Sequence, residues 1–353
     1  MRILAINPGS TSTKVALFEA EVCVRSESLA HSSEELDRAA RVWDQLEMRK
    51  AVVLRFLREN GIELSSLDAV VGRGGLLKPV RGGTYRVNAA MLEDARKGVQ
   101  GEHVSNLGCA LAMAIAEEAG CPAFVVDPVS VDEFEPLARY SGHPRIERRA
   151  LAHALSIHAV ARRAAAELGL PYREANFVVA HLGGGISVAP VKGGRIVDVN
   201  DASSDGPFSP ERTGGLPLQP FITLCFSGEF TEQEMRRFVM GCGGLVAYLG
   251  TNNAAEVERR ILEDRDEKAR EVYEAMAYQI AKEIGAMATV LCGKIDAIVL
   301  TGGLAASDML CNWITERVSF LGKVFRYPGE FEMQAMAEGA LRVLRGEEEP
   351  LEY

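Results

Sequence analysis

The sequence predicts an α/β protein built from two similar domains. Three observations carry that prediction. At 353 residues the chain is longer than one hydrophobic core usually supports. Short apolar strands alternate with segments of helical period, the pattern of a sheet covered on its faces. The second half also repeats the design of the start: "ILAINPGSTSTKVALF" (3–18) and "FVVAHLGGGISVAPV" (177–191) each run an apolar strand into one polar residue, Asn7 or His181, then a glycine turn and a second apolar strand.

In chain order, 1–7 and 13–19 read as a hairpin around the opening turn. Residues 35–60 place apolar side chains at helical spacing and stop at Gly61. "LDAVVGRGG" (67–75) is a buried strand ending in a glycine loop that carries Arg73. Helical patterns follow at about 89–98 and 106–120, then the strand "PAFVVDP" (122–128), closed by Asp127-Pro128. A helix over about 148–168 carries His153 and His158, and 176–199 holds three strands separated by glycine turns. After a long helix at 267–292, "DAIVLTGGLAAS" (296–307) is a strand and glycine turn opening a helix. The last helix spans about 332–346, and its "GEEEP" tail is solvated. This divides the chain into an N-terminal domain, 1–150 with about 335–353, and a C-terminal domain, 151–334.

Composition narrows the function. The chain is 47% hydrophobic and 25% charged, without an apolar run near the ~20 residues that span a bilayer. The first ten residues have no signal-peptide core, so the expected location is the cytoplasm, without a membrane partner. Seven cysteines are scattered and never spaced C-x-x-C, which argues for a reducing compartment and against a zinc site or disulfide framework. A net charge of −10 argues against nucleic acid as a partner. The familiar nucleotide signatures are missing too: no G-x-x-x-x-G-K-[ST], no G-x-G-x-x-G after a strand, and no protein-kinase set. "DASSDG" (201–206) faintly resembles a calcium loop, but its twelfth position would be Arg212, so calcium is rejected.

The opening turn nevertheless has the chemistry of an anion site. Ser10, Thr11, Ser12 and Thr13 offer hydroxyls, Gly9 bares backbone N–H groups, and Lys14 adds a charge, a mixture suited to phosphate oxygens. Three strand–glycine turns on a duplicated α/β frame point to a nucleotide cleft between two domains.

Asn7-x-Gly9-Ser10-Thr11-Ser12-x-Lys14 after a strand resembles the first signature of the acetate and butyrate kinase family. That family belongs to the acetate and sugar kinase/Hsc70/actin superfamily. The resemblance implies two domains with duplicated actin-like, ribonuclease H-like cores and a cleft between them. It continues in order along the whole chain. "VVGRGG" matches the strand end with the first active-site arginine, Arg73, and "GEHVSNLG" places His103 as the histidine near the substrate. Taken alone, Arg73 could be a solvated charge, and His103 a cap. "FVVDP" supplies Asp127, which in the family orients or indirectly binds the metal. His153 falls in the family pattern and His158 does not. "AHLGGG" resembles the second phosphate element, with His181 and Gly183, Gly184 and Gly185. "SPERTGGLP" gives the second arginine, Arg212, and "IVLTGGLAAS" resembles the adenosine motif, with Gly302 and Gly303. The family commonly ends with two adjacent glutamates near the metal. Here Glu330 and Glu332 are separated by Phe331, so either could serve it.

The shorter chain, "GGGIS", "RTGGLP" and "HALS" resemble the butyrate branch of the family. The implied activity is reversible in-line transfer from ATP to butyrate, giving butyryl phosphate and ADP with Mg²⁺. Arg73 and Arg212 would bracket the carboxylate and the moving group, and His181 and His153 would donate hydrogen bonds to it. Asn7, Ser10, Ser12 and Lys14 would hold phosphate oxygens. A homo-oligomer is expected. The alternatives are a kinase for isobutyrate, acetate or propionate, a nucleotide-switch binding module, and an actin-type filament protein.

Overall fold

The structure is a computed structural model that describes residues 1–37 and 39–353; position 38 of the predicted helix 35–60 lies outside the described residues. It divides into two compact units, Met1–Asp132 with Phe331–Tyr353, and Glu133–Glu330.

The first unit is built on a six-stranded sheet of β1 (Arg2–Pro8), β2 (Ser12–Glu19), β3 (Val22–Ala30), β4 (Ala69–Arg73), β5 (Thr84–Arg86) and β6 (Ala123–Val126). Its order is β3-β2-β1-β4-β6-β5. The first three strands form an antiparallel meander, β4 and β6 join in parallel, and β5 pairs antiparallel with β6. Ile3, Leu4, Ala5 and Ile6 are all fully buried, because helices cover both faces of β1. The helix Leu107–Ala119 approaches β4 so closely that a Cβ on Gly72 would meet the Gly108 carbonyl oxygen at 2.0 Å. The C-terminal helix Glu332–Leu344 packs on β1, β4 and β6, with Gly339 admitting Val126.

The second unit holds β7 (Asn176–Leu182), β8 (Ile186–Lys192), β9 (Arg195–Ile196), β10 (Ala297–Gly302) and β11 (Lys323–Pro328) in the order β11-β10-β7-β8-β9. Read from its other edge, this repeats the first unit: an antiparallel meander β7-β8-β9, then β10 and β11 added in parallel beside β7. The recurrence seen in sequence is therefore a recurrence of topology, and the duplicated α/β fold class holds. The helix Glu267–Val290 covers β7 and β8 with Tyr273, Met276, Ile280 and Ile284.

Two elements depart from their sequence pattern: the helix expected over 35–60 is interrupted, with Ser33–Asp37 and Leu46–Glu59 separated by non-helical residues 39–41, and a second helix begins late. The helix expected over 148–168 starts at Ala154, and residues 147–153 are not helical. The Arg148 guanidinium lies 2.8 Å from the Asp198 carboxylate and donates to the Ala138 and Val199 carbonyls, while Arg149 pairs with Asp201. These tertiary bonds override helical propensity. His153 consequently sits at the N-cap rather than on the helix.

Candidate active site

In the first unit the β1–β2 register sets Asn7 opposite Lys14 and Pro8 opposite Thr13, leaving residues 9–12 as the turn that presents Ser10 and Ser12. Arg73 ends β4, the parallel neighbour of β1. Glu332 opens the C-terminal helix and joins the two: its Oε2 accepts from Asn7 Nδ2 at 2.7 Å, and its Oε1 lies 3.4 Å from Arg73 Nη2. Arg73 is no solvated charge. It is 9% exposed, and its Nη1 is buried without a hydrogen-bond partner. A buried guanidinium donor left unmatched is costly, which is the signature of a group awaiting an anion.

His103 caps the short 3₁₀ turn Val104–Asn106. Its Nδ1 accepts from the Ser105 backbone N–H at 3.2 Å and lies 2.6 Å from Ser105 Oγ. Both contacts assign Nδ1 as the acceptor, so the ring carries its proton on Nε2. Burial, then the charge of Arg73, lowers its pKa below the usual 6.5 and keeps the ring neutral at pH 7. Capping and exposure to the charge of Arg73 are thus compatible in one side chain.

Asp127 follows β6 with a left-handed backbone, φ 37°, in a residue preceding proline. It is buried, and it exchanges two bonds with Gly83: Oδ1 accepts from the Gly83 N–H at 2.7 Å, and its own N–H donates to the Gly83 carbonyl. At least one of its oxygens is therefore committed within the fold. Glu330 lies two residues before the helix that Glu332 opens. Among the described residues, no three His, Cys, Asp or Glu side chains converge as a metal cage.

In the second unit, His181 lies near the end of β7, and the rings of His153 and His181 stack with centroids 4.0 Å apart and planes 12° from parallel. His153 Nδ1 lies 3.0 Å from Ser187 Oγ on β8, a contact that fixes the ring's orientation. Gly183, Gly184 and Gly185 make the β7–β8 turn, and Arg212 lies directly over it. A Cβ on Gly185 would stand 2.6 Å from Arg212 Nη1. That Nη1 donates to the Ala202 carbonyl at 3.1 Å, while Arg212 Nε is buried without a partner. The turn is pinned from below by Ser209, whose hydroxyl donates to the Gly184 carbonyl at 2.5 Å.

Gly302 and Gly303 end β10 for different reasons. Gly302 has φ 92°, and a Cβ there would meet the Leu182 carbonyl oxygen at 2.4 Å, so glycine is required by the fold. Around Gly303 nothing lies within 4 Å of a built Cβ, which leaves its backbone open to a ligand. His158, set apart from the pattern, is buried on its helix with Nδ1 2.7 Å from the Tyr172 hydroxyl. Two polar residues escaped the sequence reading: Ser187, hidden in the apolar β8 run, and Arg49, hidden in an amphipathic helix.

Known proteins resemble this chain in sequence and in fold. Residues 140–326 match the model of the acetokinase family. The butyrate kinase 2 of Clostridium acetobutylicum is 51% identical over 353 residues, covering 100% of this chain and 99% of that protein. The probable butyrate kinase 2 of Caldanaerobacter subterraneus subsp. tengcongensis is 53% identical over 352 residues, with 100% and 99% covered. The crystal structure of Porphyromonas gingivalis acetate kinase superposes with a TM-score of 0.80 at 17% identity, over 97% of this chain and 99% of that one. The Entamoeba histolytica acetate kinase gives 0.73 at 14%, over 96% and 98%. These two likenesses establish a shared fold.

Proposed function

The chain belongs to the acetokinase family, and from that premise we propose that it transfers the terminal phosphoryl group of ATP reversibly to butyrate. The products are butyryl phosphate and ADP. The observation that carries the proposal is the pair of buried guanidinium atoms lacking an acceptor, Arg73 Nη1 and Arg212 Nε. A carboxylate and a transferring phosphoryl group are anions that would complete them.

The carboxylate nucleophile is already ionised at neutral pH, so no general base is needed. Catalysis then reduces to positioning and to stabilising charge on the equatorial oxygens. Arg73 and Arg212 orient the acceptor and the moving group, and His103 offers its Nε2–H. His181 and His153 donate to the same charge. Asn7, Ser10, Ser12, Lys14 and the turn Gly183–Gly185 hold phosphate oxygens, while Gly302 and Gly303 face the nucleoside.

The donor set fits Mg²⁺ carried on the nucleotide. Magnesium keeps several waters and takes one or two carboxylates plus phosphates, a demand that two acidic side chains can meet. Glu332, oriented by Asn7 and Arg73, and Asp127 are the residues that would meet it, with Glu330 as the alternative to Glu332. When bound, the ion would neutralise phosphate charge.

We extend the proposal to setting and assembly. All seven cysteines are free, in keeping with a reducing cytoplasm. No helix among the described residues is long and apolar enough to cross a membrane. The apolar helix Leu218–Cys225 buries none of its residues, and Phe226 after it is 86% exposed, which supports a homo-oligomer using that face.

The test is turnover with linear and branched C2 to C5 acids, trapping acyl phosphate as hydroxamate. Butyrate should give the highest kcat/KM; a preference for isobutyrate, acetate or propionate would reassign the substrate. Arg212→Ala should lower turnover by about two to three orders of magnitude with the fold intact. Near-normal turnover would remove Arg212 from catalysis.

A further inference from the structure

Beneath the opening turn lies a cation that none of this chemistry uses. Arg49, on the helix Leu46–Glu59, is 0% exposed, and among the described residues no carboxylate pairs with it. Its five N–H donors are met by neutral oxygens. Nη1 donates to the Ser12 carbonyl at 3.0 Å and to Thr13 Oγ1 at 2.9 Å. Nη2 reaches the Ser10 carbonyl at 3.5 Å, and Nε and Nη2 share Gln45 Oε1 at 3.0 and 2.9 Å. A buried arginine without a counter-ion is rare, because removing the charge from water is costly unless something repays it.

We propose that Arg49 is a positioning residue for nucleotide binding, holding the carbonyls of residues 10 and 12 inward and keeping an uncompensated positive charge behind the phosphate turn. This rests on the assignment of residues 7–14 to nucleotide phosphate. The geometry supports it in two ways. In a trans peptide the C=O and N–H point in opposite directions, so drawing the Ser10 carbonyl towards Arg49 turns the Thr11 N–H away from it. The turn is also fully braced on the inner side: the Thr11 carbonyl accepts from the His31 N–H, and the Ser12 carbonyl also accepts from the Gly9 N–H. The hydroxyls of Ser10 and Thr11 are left on the exposed side.

The charge persists at working pH. Burial lowers the Arg49 pKa only to about 10, so the group stays protonated at neutrality. His31 is then held neutral. Thr13 Oγ1 accepts from Arg49 and lies 2.8 Å from His31 Nε2. Burial, and then the Arg49 charge, lowers the His31 pKa. One cation remains under the turn, and a phosphate is the anion that would pair with it through the turn's own dipoles.

The experiment measures KM for ATP, KM for butyrate and kcat, with thermal melts, for Arg49→Lys, Gln45→Ala and, as a direct contact, Ser12→Ala. Arg49→Lys keeps a cation but can span only part of the network. It should raise KM for ATP about ten- to hundredfold and leave KM for butyrate within twofold. Gln45→Ala, at a partly exposed position, loosens the guanidinium without removing it and should show the same signature more weakly. It keeps the test decisive if Arg49→Lys does not fold. Folded Arg49 and Gln45 variants with lower melting temperature but unchanged KM for ATP would overturn the positioning role while Ser12→Ala still weakens ATP. An unchanged KM for ATP in Ser12→Ala would overturn the phosphate turn itself, and the role of Arg49 with it.

Discussion

Gly185→Ala tests the second unit at a point where stability and activity should separate. The added Cβ would stand 2.6 Å from Arg212 Nη1 and 2.9 Å from Cζ, with no other atom nearer than 3.3 Å. Restoring an ordinary contact of 3.4 Å requires the guanidinium tip to retreat by about 0.8 Å. The obstacle is the far end of a flexible side chain, and Gly185 is not among the residues of positive φ, so alanine is admitted at little cost to the fold. Stability should change by less than about 1 kcal/mol. Catalysis should not be spared, since a displacement near 1 Å at a group aligned with the reacting centre can cost about a hundredfold. That corresponds to about 2.7 kcal/mol of transition-state stabilisation. The assay is acyl-phosphate trapping with butyrate and ATP, run beside a thermal melt. A variant with native melting and kcat/KM within threefold of wild type would refute the placement of Arg212 in the reaction.

Two further outcomes follow from the geometry. His103 has its pKa lowered by burial and by Arg73, so the unfolded chain takes up that proton first. Its contribution to stability is therefore complete above about pH 6.5 and falls as pH drops below it; urea midpoints from pH 8 to 5 should show the fall, and His103→Gln should make it shallower, leaving the share that His31 contributes in the same direction. Phe226→Asp places a charge on the exposed apolar face and should yield particles of 38.3 kDa by light scattering where the parent gives a multiple; identical masses would reject this face as the contact.

Much of the site's membership was legible because its chemistry is local. A strand running into a glycine turn needs only period-two apolar residues and a break, and both "AINPGSTSTK" and "AHLGGG" carry these in a dozen residues or fewer. Arg73 and Asp127 were visible as strand-end polar residues. Their burial was not. The orphaned Nη1 of Arg73 belongs to β4, which meets β6 across more than fifty residues of sequence, and the tie of Asp127 to Gly83 continues the pairing of β5 with β6 across 44. The start of the helix at Ala154 was missed because propensity cannot register the bonds of Arg148 to Asp198 and Val199.

By itself the sequence determined the duplicated α/β frame, the two glycine turns and the family, since alternation, turn chemistry and motif order are written along the chain. Tertiary structure alone decided which polar groups are left unsatisfied. Glu332 closes on Asn7 across 325 positions, Arg49 is buried beneath the turn without a counter-charge, and Arg212 lies over Gly185. Burial and hydrogen-bond satisfaction depend on every element packed around an atom. No window of sequence contains that information.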